Sequence, residues 1–114
     1  MPKFEWLDQL AALPLDRTVK LVGFALAHYA SKNGKDARPG LNRLMWTCGI
    51  KDERTAGNAI KELRRMHLIF LNVPGGGRPS PGKKPMADEY WLTTHPEAEG
   101  WKTSYEAWRK ERPA

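Results

Sequence analysis

The chain has 114 residues, a formal net charge of +6 and an isoelectric point near 9.7. That length accommodates one domain with a small core and excludes a second, catalytic domain, while the basic balance directs attention to polyanionic partners. A single cysteine excludes an internal disulfide, and no apolar run is long enough to cross a bilayer or serve as a signal peptide, so a cytoplasmic protein is expected.

Residues 1–14 read as a short N-terminal helix or arm. Phe4, Leu7, Leu10 and Ala11 share a helical stripe, Trp6 lies off it, and Pro14 ends the segment. Such a segment either caps the core or reaches to a second copy. The spacing then predicts a largely buried helix from Asp16 to Lys32. Val19, Val22, Leu26 and Tyr29 fall on one line of it, with Leu21, Ala25 and His28 on the next. Asn33 or Gly34 supplies a left-handed stop. The loop from Lys35 to Arg38 is too polar to demand a strand.

Two helices joined by a tight turn follow. From Pro39 onward, Leu41, Leu44, Met45 and Cys48 recur at i, i+3, i+4 and i+7; Gly49 then ends the helix left-handed and Ile50 anchors the turn. Cys48 belongs to this apolar face as a packing residue. Asp52 is a plausible N-cap, and Glu53 suits the positive end of the next helix dipole. Ala56, Ala59, Ile60 and Leu63 form the inner face of this second helix, slim at its start and bulky later. Its outer face carries Arg54, Asn58, Lys61, Arg64 and Arg65, with Thr55 near the beginning. Arg and Lys match guanine edges, Asn matches adenine edges, and all of them match phosphates. A merely solvated helix shows similar residues; what favours DNA is the position of this helix, second in a helix-turn-helix pattern.

Leu68 to Val73 is a strand candidate. The proline- and glycine-rich stretch 74–86 has to be a loop, and Glu89 to Thr93 returns as a strand, making a hairpin whose tip carries Arg78, Lys83 and Lys84. Between Lys51 and Lys84 eight cations meet three anions, so nearly the whole charge excess lies in the second helix of the pair and this loop. The glycines lack the spacing and the Lys-Ser/Thr ending of a phosphate-binding P-loop. Residues 94–114 are expected to form a C-terminal helix with Trp101, Tyr105 and Trp108 at i, i+4 and i+7. These aromatics either pack back on the first helices or form a two-fold interface, and binding to paired half-sites favours the dimer.

Catalysis finds no support. His28, His67 and His95 are scattered without metal-ligand spacing, and Asp88 and Glu89, adjacent on a strand, point to opposite faces. No nucleophile, metal site or cofactor motif is present in the sequence. Neither is a stacking platform for unpaired bases evident on a sheet face.

The run from Leu44 through Gly49, Ile50, Thr55, Ala56, Ala59, Ile60, Leu63, His67, Leu68 and Ile69 resembles the winged helix-turn-helix domains of phage and plasmid replication initiators and bacterial transcription regulators. The resemblance covers roughly residues 15–93. It implies a mainly α fold with a small β-hairpin (α+β), in which the second helix is the recognition helix and 74–86 is the loop of the wing. Three positions depart from the family pattern: Met45 replaces a small alanine, Lys51 adds a residue to the turn, and His67 replaces the glycine before the wing. The implied function is sequence-specific binding of double-stranded DNA, as a transcription regulator or a replication accessory of a mobile element. Arg54, Asn58 and Lys61 would then reach base edges. Asn42, Arg43, Lys51, Thr55 and Arg64 would meet phosphates, Arg78, Lys83 and Lys84 would hold the flanking backbone, and Gly57 would leave room for close approach. The alternative is a protein-interaction module on the same scaffold.

Overall fold

In the computed structural model, which describes residues 1–75, 87–94 and 107–111, helices α1 (Lys3–Ala12), α2 (Arg17–Tyr29), α3 (Leu41–Cys48) and α4 (Glu53–Arg65) precede strands β1 (Ile69–Val73) and β2 (Glu89–Leu92). A further helical segment occupies 107–111. The molecule is thus mainly helical with one antiparallel hairpin, the α+β class that the sequence predicts. Among the described residues no helix is long and apolar enough to cross a membrane.

Helix α2 is the centre, with α1, α3 and α4 packed around it. Asp16 opens it by accepting a hydrogen bond from the Thr18 amide at 3.1 Å. Val19, Val22, Ala25, Leu26 and Ala27 are buried, whereas Leu21 and His28 of the expected second line are exposed. The helix stops at Tyr29, not Lys32, because Ala30 turns to an extended conformation; Gly34, at φ +80°, serves the turn beyond. At Gly23 an added Cβ would stand 2.7 Å from the Leu10 Cδ2 atom, a measure of how closely α1 and α2 approach.

The expected stripe of α1 is corrected by the structure. Its buried residues are Trp6, Gln9 and Leu10, while Phe4 is 68% exposed and Ala11 faces solvent. Two main-chain acceptors select that face. The Trp6 indole N–H donates to the Leu68 carbonyl at 2.8 Å, and Gln9 Nε2 donates to the Thr93 carbonyl at 3.1 Å. One carbonyl immediately precedes β1 and the other immediately follows β2, so α1 caps the core of its own chain.

Both helices of the helix-turn-helix end alike. At the end of α3, Gly49 is left-handed at φ +70°, its amide donates to Trp46 and the Ile50 amide to Met45. At the end of α4 the same pattern recurs with His67 at φ +59°, its amide donating to Arg64 and that of Leu68 to Leu63. The left-handed exit therefore exists without glycine, at a cost of about 1–2 kcal/mol. From it Leu68 and Ile69 enter the core, both buried.

In the hairpin Ile69 faces Leu92, Phe70 faces Trp91 and Leu71 faces Tyr90; the ladder is then irregular between Leu71 and Val73, and Val73 faces Glu89. Ile69, Tyr90 and Leu92 turn into the core. The polar loop before α3, from which no strand was demanded, does pair with β2. Ala37 and Tyr90 exchange amide hydrogen bonds of 3.1 and 2.8 Å, and the Leu92 amide donates to Gly34 at 2.7 Å.

Candidate nucleic-acid interface

Helix α4 is fixed at its start by Asp52, which accepts from the Arg54 amide and from the Thr55 hydroxyl, both at 3.0 Å. Its inner residues Ala56, Ala59 and Leu63 are buried, and it packs against α2 and α3. The small residues come first, so the helix lies close to its neighbours near the turn. That packing leaves Arg54, Asn58, Lys61, Arg64 and Arg65 exposed.

These side chains are not equivalent. Arg65 is committed: its Nε donates to Glu62 at 2.9 Å and a second guanidinium nitrogen closes the ion pair. The same contact lowers the Glu62 pKa. Arg54, Asn58, Lys61 and Arg64 form no side-chain hydrogen bond or ion pair with any described residue. Thr55 is exposed, but its one hydroxyl hydrogen already serves the Asp52 carboxylate. The structure therefore brings the three expected base readers and Arg64 together on one ridge and gives Thr55 a role in the cap. At Gly57 nothing lies within 4 Å of a built Cβ, so packing alone does not require glycine there.

Beside the ridge, Asn42 and Arg43 are exposed on α3, and Lys51 is exposed in the four-residue turn between the helices. A hollow of about 410 Å³ separates the start of α3 from α4 and the root of the hairpin, with Gly40, Leu41, Gly57, Lys61 and Arg64 in its walls. Asp88 stands at its far side. It accepts from the Gly75 amide at 2.6 Å and from the Tyr90 hydroxyl at 3.3 Å, tying the hairpin root shut. Burial, and then the Asp88 charge, push the Tyr90 hydroxyl up to about 12. Arg78, Lys83 and Lys84 lie outside the described residues, as do Trp101 and Tyr105. Trp108 is described, and it lines a hollow of about 460 Å³ with Ala11, Ala12, Leu13, Pro14, Leu15 and Lys20, at the elbow between α1 and α2.

Three features escape sequence reasoning. Trp46, beside Arg43 on the outer face of α3, is 85% exposed. Arg38 pairs with the buried Glu89 at 2.6 Å, across 51 residues of chain, and a pairing so distant has no sequence signal. Phe70 and Trp91 sit side by side, with tilted rings, on the outside of the hairpin, where no aromatic platform was evident; the alternation of the two strands held the signal. Among the described residues no cluster of three or more His, Cys, Asp or Glu side chains is arranged to hold a metal ion. Cys48 is half-buried against the core, and burial raises its pKa.

Comparison of the chain with protein-family models, curated proteins and solved structures gives no match.

Proposed function

We propose that this chain is a cytoplasmic, sequence-specific double-stranded DNA-binding protein, a transcription regulator or replication accessory of a phage- or plasmid-type element. In this reading α4 enters the major groove, Arg54, Asn58 and Lys61 meet base edges, and Asn42, Arg43, Lys51 and Arg64 meet the sugar-phosphate walls. A phosphate at Thr55 would take the hydroxyl hydrogen that Asp52 now accepts, because a phosphate oxygen can only accept. Arg78, Lys83 and Lys84 hold the flanking duplex, and two copies joined through Trp101, Tyr105 and Trp108 read two half-sites. The observation that carries the reading is the ridge of donors without a side-chain partner among the described residues, on a helix clamped by its cap and by two neighbouring helices.

Selection from a random duplex pool followed by salt titration tests it. Three described cations on phosphates, Arg43, Lys51 and Arg64, call for a log–log salt slope of about −3 or steeper. Arg54→Ala and Asn58→Ala should each weaken the selected duplex by about 1–3 kcal/mol and relax its preference at one position. Unchanged affinity and preference in both variants would refute the assignment.

The exposed Trp46 favours a second reading, in which the scaffold docks a protein through α3. Arg54→Ala and Trp46→Ala together separate the two: in the DNA reading the first lowers duplex affinity, whereas in the docking reading neither changes it and the second abolishes association with the protein partner.

A further inference from the structure

The hairpin has two faces, and only the inner one is used by the core. On the outer face Phe70 and Trp91 are cross-strand partners, with ring centroids 6.5 Å apart and planes inclined by 55°. Phe70 is 54% exposed, between the buried Ile69 and the half-buried Leu71. The indole beside it is held in place. Its N–H donates to Glu89 Oε1 at 3.2 Å, and the other oxygen of that buried carboxylate is held by Arg38. The Lys35 ammonium stands 4.7 Å from the centroid of the Trp91 ring.

We infer that this outer face, Phe70 with Trp91 and Lys35, is a stacking site for the unpaired bases of single-stranded nucleic acid, separate from the ridge of α4. An open π-face accepts any base, and a second aromatic side chain at a fixed inclination walls the same space. The Lys35 ammonium lies over one face of the Trp91 ring, which leaves the exposed Phe70 ring to the base and sets a cation near the phosphate that the base brings with it. Charge favours this occupant over an acidic or neutral surface. The adjoining loop carries Lys32 and Lys35 against Asp36, while Arg38 and Glu89 neutralise each other. The anchored indole means that little side-chain freedom is lost when a base arrives. The inference does not depend on α4, since none of these residues belongs to it.

The test uses the full chain and a fluorescently labelled oligothymidine of about twelve nucleotides, a length within the span that single-strand binding folds occupy. An abasic strand of equal length serves as comparator, and anisotropy is read at low salt. The intact protein should bind the thymidine strand about tenfold more tightly than the abasic strand, the difference being the stacking contribution. Phe70→Ile, which keeps a strand-forming apolar residue but removes the π-face, should abolish that preference. Phe70→Tyr should keep it, and Lys35→Ala should weaken both strands alike. None of the three should alter affinity for the selected duplex, whereas Arg54→Ala should alter only that. Equal binding of thymidine and abasic strands by the intact protein overturns the inference regardless of how any variant folds. So does a preference that survives Phe70→Ile. Self-association abolished by Phe70→Ile, with no preference for bases, would give the face to a second copy instead.

Discussion

Replacing Trp6 by phenylalanine tests whether α1 is part of the core or an arm placed there loosely. The indole is completely buried and donates to the Leu68 carbonyl at 2.8 Å. That carbonyl also accepts from the Thr93 amide at 2.9 Å, so the substitution removes one hydrogen bond without orphaning its acceptor. The loss is therefore about 1 kcal/mol, not the larger penalty of a stranded polar atom. The space left by the smaller ring costs about 1 kcal/mol more, because Leu10 and the α2 backbone at Gly23 are too closely fitted to collapse into it. A total near 2 kcal/mol should lower the urea midpoint by about 1 M at a typical slope. Equilibrium unfolding followed by far-ultraviolet circular dichroism measures it, at several protein concentrations. A loss below about 0.5 kcal/mol would show that the contact contributes little. A difference between the protein and the variant that itself changes with concentration would show that α1 docks on another copy.

His67 should tolerate glycine better than its own side chain. The left-handed penalty of about 1–2 kcal/mol disappears, glycine's extra freedom when unfolded takes back about 0.4–1, and a gain of about 0.5–1 kcal/mol should appear in thermal melts. Asp52→Ala should cost about 1 kcal/mol and lower the melting point by about 4 °C, with Asp52→Asn restoring most of it, because the cap serves the Arg54 amide. Acid stability should depend on Glu89. The Arg38 guanidinium, with the Trp91 indole N–H, holds its carboxyl below the usual 4.5, so the unfolded chain takes up the proton first as pH falls. Its contribution is whole above that value and is lost on descending through the lower folded one. Comparing melts of the protein and of Glu89→Gln from neutral pH downward should show the difference between them closing in that window. A constant difference would refute the ion pair's role.

Much of the helical part was legible because α2, α3 and α4 bury stripes that repeat at helical spacing and because Gly49 and Asp52 mark their ends. The hairpin was legible from its apolar strands. What misled was α1, where Phe4 and Ala11 make as good a stripe as the true one. The true face includes Gln9, a polar residue buried because a carbonyl 84 positions away needs it. The pairing of Ala37 with β2 runs through main-chain atoms only, which no side-chain pattern records. In the candidate site, the order of donors along α4 could be read from spacing. That Arg65 is engaged by Glu62 was within reach at i, i+3; that Arg38 is engaged by Glu89 was not.

The short bridge between Ala37 and Tyr90 also bears on how this protein behaves at high concentration. A two-stranded sheet ordinarily offers two open flanks to any extended peptide that meets it. Here the chain preceding α3 occupies the flank of β2, so templated growth has only the β1 side, five residues long and interrupted by its irregular register. Loosening that bridge, for instance with proline at position 37, would remove a donor and uncover the second flank, turning a shielded sheet into one open to fibrous association.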